Sequence, residues 1–443
     1  MAKLSGFEFL PLEMTKKGAV HDAAQKAAIL AKVRETGTGR ITNLIVLSHG
    51  WNNDMAEARA LYQELLANMA GLNAAPQDLT KTTAVVGVFW PSKKFADEDL
   101  IPAGLAAGAG GTASSKKRGV TAAALKQKLE GLKGTFDKAD KTALEKAKKL
   151  VDLLDDSPKA QKEFVKLIRA LLPPSSENSD ASKQFFKVKP TALLESLSAP
   201  IVEPKKAPKG TGGIASTSAG TTGGVLGFQD ILSGITAGAW RFLNFATFYQ
   251  MKERAGVVGS GLNKVLKEVR AARPDLRIHL AGHSFGARLV TAAVAGPAKI
   301  APSSMTLLQG AFSHNGFTSK FDGKKDGFFR SVIKENRVAG PILITHTVND
   351  KAVGLAYPLA VRISGDNSRG LGDRNDTYGG MGRNGAVKMA PVEFAELTLL
   401  PVGGVYNFAP GKVHNLKADA FVSSHSAVRG RECAYALLVA GGF

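Results

Sequence analysis

Cysteine is almost missing from this sequence: Cys433 stands alone among 443 residues. That excludes an intramolecular disulfide and argues against a zinc site built on cysteine. Acidic residues are scarce beside basic ones, 38 Asp+Glu against 58 Lys+Arg, for a formal net charge of +20. Such an excess attracts acidic partners or simply solvates a basic surface. No Cys/His finger, aromatic-rich basic sheet motif or basic zipper accompanies it, so no nucleic acid is expected as a partner. No apolar run of about 18 residues is present, so no transmembrane helix is expected. The opening residues, Met-Ala-Lys-Leu-Ser-Gly-Phe-Glu-Phe-Leu-Pro, hold neither an apolar h-region nor a cleavage signal. A cytoplasmic protein is the expectation, with export only by a route that needs no such signal. Internal repeats are also missing, which removes solenoids and propellers.

What is present is a soluble composition, 44% hydrophobic and 7% aromatic, long enough for a large core and an insertion. The stretch around which it is organised is Arg277-Ile-His-Leu-Ala-Gly282-His283-Ser284-Phe285-Gly286-Ala287. Ile278 to Ala281 reads as a short buried strand, and Ala287 to Ala295 as a helix ended by Gly296-Pro297. The Gly-x-Ser-x-Gly between them makes a turn so tight that residues two before and two after the serine must be small. The helix N-terminus behind Ser284 would stabilise negative charge on a substrate oxygen.

In chain order, Phe7 to Leu12 reads as a first, edge strand, and Val20 to Val33 as a helix. Ile41 to Ser48 is an apolar run that ends in His49-Gly50-Trp51-Asn52-Asn53-Asp54. Asp54 can cap a helix over Met55 to Met69, with Ala58, Leu61, Leu65 and Met69 on one stripe. Thr83 to Trp90 is the next buried strand. Strand, helix, strand implies a parallel sheet.

That pattern breaks between about Lys93 and Gly234. Ala103 to Ser115 and Lys209 to Gly224 read as flexible linkers. Between them, Lys141 to Leu154 and a helix begun by Ser157 and Pro158 form a helical hairpin. Lys116 to Lys209 holds 21 basic and 12 acidic residues. Phe228 to Met251 reads as an apolar helix, and Val257 to Val269 leads back to the Ser284 strand. Met305 to Gly310 and Pro341 to Thr347 read as further parallel strands, Glu396 to Phe408 as the last one or two, and Ala427 to Ala440 as a closing helix.

The serine turn, the His49-Gly50 turn after an earlier strand, and an acid followed by a histidine resemble the α/β-hydrolase superfamily over roughly residues 1–92 and 235–443. The implied fold is α/β, a mostly parallel central sheet flanked by helices, with residues 93–234 inserted as a helical cap that itself resembles nothing recognised. The resemblance implies a Ser284, Asp350, His425 triad in the order Ser, Asp, His. Asp350 follows a late strand; Asp366, Asp373 and Asp376 are weaker candidates. Of the 8 histidines, His425 falls after the last strand and before the final helix, and is preferred to His414, too close to the strand end. The backbone N–H groups of Phe285 and Trp51 are the implied oxyanion donors, with Asn52 next. His49, Gly50, Asn52 and His283 are the implied substrate-binding residues. No metal and no cofactor are expected.

The function implied is hydrolysis of carboxylic esters through an acyl-enzyme, on a small-molecule or lipid ester. Thioester and amide substrates share the machinery. A second expectation is a membrane-surface lipase or phospholipase, such as a secreted bacterial effector, docking its basic insert and apolar helix on anionic lipid. A third is a non-catalytic binding module on the same fold.

Overall fold

A computed structural model of the protein describes residues 2–51, 53–92, 121–173, 182–198, 234–353, 374–376 and 378–443. The chain divides into two compact units, Met1–Asp99 with Pro173–Phe186 and Thr247–Phe443, and Leu100–Leu172 with Lys187–Ala246.

The first unit is an α/β structure built on one sheet. Its strands are β1 (Lys3–Leu4), β2 (Phe7–Glu13), β3 (Asn43–Ser48), β4 (Thr83–Phe89), β5 (Arg277–His283), β6 (Ser304–Leu308), β7 (Ile342–His346), β8 (Phe394–Thr398) and β9 (Val413–Lys417). Their spatial order is β1-β2-β4-β3-β5-β6-β7-β9-β8. Every neighbouring pair is parallel except β1 with β2.

Alternate side chains of a strand point to opposite faces, and here both faces are apolar, as a parallel sheet covered on both sides requires. In β3, Leu44 and Val46 join one core, and Ile45 and Leu47 the other. The first core takes in Ile29 and Val33 from the helix Ala23–Arg34, Met251 to Val269 of a long helix, and Leu289 and Val290 from the helix Phe285–Ala295. The second takes in Leu61, Leu65 and Met69 from the helix Met55–Ala70, and Leu437 and Leu438 from the closing helix Arg431–Gly441. Each such buried aliphatic side chain is worth about 2 kcal/mol relative to exposure. The helix Met55–Ala70 starts where the sequence indicates. Asp54 Oδ1 accepts the Glu57 N–H at 2.9 Å, and Glu57 Oε2 accepts the Asp54 N–H at 2.7 Å, a reciprocal cap.

Three expectations are corrected. Phe7–Glu13 is not the edge, because Lys3–Leu4 pairs antiparallel outside it. The last strand is not within Glu396–Phe408: β8 lies at Phe394–Thr398 on the edge, and β9, beyond it in sequence, inserts between β7 and β8. Val413 to Leu416 is buried throughout while β8 is half exposed, so the later strand takes the inner place. Finally, the helix is unbroken from Ile235 to Ala272. The two expected segments are one helix, and within it Gly259 is needed for packing. A Cβ on Gly259 would lie 2.4 Å from the Leu289 carbonyl oxygen.

The second unit is helical among its described residues: Ala122–Gly131, Lys141–Leu150, Pro158–Leu171, Pro190–Ser198 and the start of the long helix. Ser157 caps Pro158–Leu171 by accepting the Ala160 N–H at 3.2 Å. The unit's core includes Leu129, Leu144, Phe164, Ile168, Leu194 and Phe242, with the Phe164 and Phe242 rings 6.2 Å apart. The expected linkers at 103–115 and 209–224, and residues 228–233 of the expected apolar helix, lie outside the described residues. No helix among the described residues is long and apolar enough to cross a membrane.

Candidate functional site

In an open parallel sheet the loops that leave the carboxyl ends of the strands gather along one edge. Ser284 follows β5, Asp350 follows β7, His425 follows β9, and His49-Gly50-Trp51 follows β3. Gln309 follows β6.

The turn at Ser284 is strained. Its backbone sits at φ 58°, ψ −122°, a region that non-glycine residues occupy at a cost of order 1–3 kcal/mol. The surroundings hold it there: the Ser284 N–H donates to the Leu308 carbonyl at 3.0 Å, and its carbonyl accepts from Ala287 and Ala311 at 3.1 Å each. The flanking glycines are obligatory. A Cβ on Gly282 would lie 2.3 Å from the Gly286 oxygen, and one on Gly286 2.2 Å from the Ser48 oxygen. The turn after β3 comes just as close, since a Cβ on Gly50 would lie 2.7 Å from Ser284 Cβ.

The side chains of Ser284, His425 and Asp350 form one line of hydrogen bonds. Ser284 Oγ donates to His425 Nε2 at 2.8 Å, and His425 Nδ1–H donates to Asp350 Oδ2 at 2.8 Å. Asp350 is fully buried. Burial alone would push its carboxyl up, but the charge and hydrogen bond of His425, the Val353 N–H and the Gln309 amide together hold it below the ordinary value. It stays ionised and dictates the His425 tautomer, leaving Nε2 free to accept the serine proton. Asp350 Oδ1 also accepts the Val353 N–H at 2.9 Å, which caps the turn that follows.

No family model, curated protein or solved structure matches this chain.

Phe285, one of the two expected oxyanion donors, is the first residue of its helix, where an N–H has no intrahelical acceptor. Among the described residues neither its N–H nor that of Trp51, the other expected donor, is bonded. The rings of these two residues pack 6.0 Å apart. His49 has both ring nitrogens engaged: Nδ1–H donates to the Gly50 carbonyl at 2.9 Å, and Nε2 accepts the Trp90 N–H at 3.2 Å. Its ring stacks on Trp90, and burial lowers its pKa to about 4, so it stays neutral and braces the turn. His283 Nε2–H donates to the His425 carbonyl at 2.9 Å. Burial first, and then the charge of His425, lower its pKa to about 3. Asn52 and the weaker candidates Asp366 and Asp373 lie outside the described residues. Asp376 accepts the Tyr378 N–H of its own turn at 3.0 Å. His414 lies within β9, where its Nε2 accepts the Ala409 N–H at 3.0 Å, and it is not brought to Ser284. No group of three His, Cys, Asp or Glu side chains among the described residues could hold a metal ion.

Two residues that support Asp350 carry no signal in the sequence. Gln309, buried and at φ 48°, donates from Nε2 to Asp350 Oδ2 at 3.2 Å and to the Gly382 carbonyl at 2.7 Å. A Cβ on Gly382 would lie 2.8 Å from the same carboxylate oxygen. Only the position of Gln309, directly after β6 at the edge that carries the site, could have drawn attention to it.

A hydroxyl bonded to an imidazole, itself bonded to a buried carboxylate, is chemically a means of making an alcohol nucleophilic. The Phe285 and Trp51 N–H groups belong to the two turns that meet at Ser284, where a Cβ on Gly50 would lie 2.7 Å from Ser284 Cβ.

Proposed function

We propose that this chain is a serine hydrolase of carboxylic esters with an α/β-hydrolase core. The observation that carries the reading is the Ser284–His425–Asp350 line, with both contacts at 2.8 Å. Ser284 Oγ attacks the ester carbonyl carbon while its proton passes to His425 Nε2. Asp350 stabilises the imidazolium, and the Phe285 and Trp51 N–H groups hold the oxyanion. As the tetrahedral species collapses, the C–O bond to the alcohol breaks and His425 returns the proton to that oxygen. Water, deprotonated by His425, then attacks the acyl-Ser284 carbonyl, and the acid leaves with Ser284 reprotonated.

A fluorophosphonate, which phosphonylates an activated serine, is expected to label the wild-type chain at Ser284 and to leave Ser284→Ala unlabelled. Labelling at another residue, or none at all in the folded wild type, would sink the reading.

The helical segment inserted between β4 and β5 acts in this reading as a cap that selects among esters without supplying the triad. Its sequence supports this: Gly-rich borders around amphipathic helices suit a body that moves. Replacing residues 104–222 by a short linker should preserve hydrolysis of a small soluble ester and alter the preference for long acyl chains. A folded deletion variant with unchanged chain-length preference, or one with no activity on any ester, would count against a cap.

A further inference from the structure

His425 sits in residues 418–430, which form neither strand nor helix between β9 and the closing helix. Unrestrained, such a segment loses about 1–2 kcal/mol per residue on ordering. An imidazole that must meet Ser284 on one side and Asp350 on the other tolerates about 0.5 Å of error. Something must hold the segment, and the structure shows what. The three residues directly before Asp350 reach across to it. Asp419 Oδ1 accepts the Thr347 hydroxyl at 2.8 Å and the Val348 N–H at 3.1 Å. In the other direction, Asn349 Nδ2 donates to the Asp419 carbonyl at 3.2 Å and the Val422 carbonyl at 3.1 Å. The Thr347 oxygen also accepts the Asn349 N–H at 3.1 Å. Thr347 is itself fully buried and anchored by its N–H to the Gly382 carbonyl at 3.0 Å.

These bonds join the loop that carries the acid directly to the loop that carries the base. Strands also hold the second loop, through His283 of β5 on the His425 carbonyl at 2.9 Å and the Ala418 N–H on the His346 carbonyl of β7 at 2.8 Å. Among the described residues, only the inter-loop bonds tie it to the residues next to Asp350 and so act on the separation of Asp350 from His425. We propose that Asn349 and Asp419 are positioning residues, a latch that holds His425 in register with Asp350 without touching substrate. The Asp419 carboxylate is well placed for this. The Thr347 hydroxyl and Val348 N–H converge on one of its oxygens, while Lys417 Nζ stands 3.4 Å from the other. Its carboxyl is held below the ordinary value, since those bonds and Lys417 outweigh the opposing effect of burial.

The kinetic half of the test rests on the ester-hydrolase reading; the spectroscopic half does not. In Asp419→Ala the latch loses its acceptor, and misplacement of His425 should lower kcat about 100-fold with KM changed by less than about twofold. Thermal unfolding should move by no more than about 4 °C, as for the loss of a half-buried hydrogen-bonding group. Asp419→Asn keeps an acceptor oxygen and should recover most of the loss. Independently of turnover, the far-downfield proton resonance of a carboxylate-bound imidazole N–H should be present in the wild type and in Asp419→Asn. It should be lost in Asp350→Ala, which assigns it, and lost or broadened in Asp419→Ala. An undiminished resonance in Asp419→Ala would overturn the latch. So would a fall in activity that Asp419→Asn does not rescue and that tracks the unfolding temperature. A wild type that shows the resonance but hydrolyses no ester, with the resonance lost in Asp350→Ala and Asp419→Ala and kept in Asp419→Asn, would sink the hydrolase reading and leave the latch standing.

Discussion

His425→Ala is expected to lower kcat for ester hydrolysis by roughly four to six orders of magnitude, as far as Ser284→Ala does. The double variant should be no slower than either single one. The reason is that neither residue acts alone: without the imidazole at 2.8 Å the serine keeps its proton, and without the hydroxyl the imidazole has nothing to activate. Asp350→Asn should be somewhat less damaging, because an amide in that place can still hold the ring while favouring the wrong tautomer. His414→Ala supplies the contrast. Its ring serves the Ala409 turn, so its loss should alter stability and leave kcat within about threefold. Additive losses in the double variant would mean that Ser284 and His425 do not work as one unit. Abolition of turnover by His414→Ala alone would mean that the wrong histidine has been given the role.

The parts of this molecule that were legible in the sequence are those whose cause is local. The strand, turn and helix around Ser284 announce themselves because Gly282 and Gly286 occupy positions where a Cβ would strike the backbone. The helix after Asp54 is legible because its cap is closed within four residues. Where the cause is distant, the sequence is silent or misleading. Val413-His-Asn-Leu-Lys417 does not look like an inner strand. It becomes one because His414 and Asn415 find partners, Asn415 donating to the Ala386 carbonyl at 2.8 Å and accepting the Ala386 N–H at 2.9 Å. The single helix Ile235–Ala272 reads as two segments, and its Gly259 is needed because of packing against the distant Leu289 carbonyl. Ser284, Asp350 and His425 could be chosen by chain order. Gln309, Asn349 and Asp419 could not, because their partners are 41 to 73 residues away and polar residues of their kind are common in loops. His283, expected among the substrate-binding residues, has its Nε2–H on a carbonyl 142 residues distant, a partner the sequence does not reveal.

Mild acid is expected to unfold the α/β unit well before its carboxylates titrate. Burial lowers the pKa of His49 to about 4 and those of His279, His283 and His314 to about 3. In the folded protein these rings therefore stay neutral down to that range. In the unfolded chain each takes a proton below about 6.5. Between those limits the unfolded state binds more protons, so stability falls as the pH falls, by about 1.4 kcal/mol per pH unit for each fully titrating ring. At pH 4.5 four such rings would cost up to about 11 kcal/mol, which is comparable to the whole stability of an ordinary domain. The lowered carboxyl of Asp350 acts in the same direction, but its contribution begins to be lost only below about pH 5 and mainly near pH 4 and under, as unfolded aspartates protonate. The window from pH 6.5 to 4.5 therefore belongs to the histidines. His279 offers the sharpest check, since its Nδ1 accepts the Ser304 hydroxyl at 2.9 Å and its Nε2–H donates to Asn43 Oδ1 at 3.1 Å. His279→Gln retains a donor and an acceptor but cannot titrate. Whatever it does to stability at pH 7.5, it should reduce the protons taken up on denaturant unfolding at pH 5.5 by about one. Unfolding free energy that stays flat between pH 7 and 5, or proton uptake unchanged in His279→Gln, would show that these rings are not held neutral by the fold.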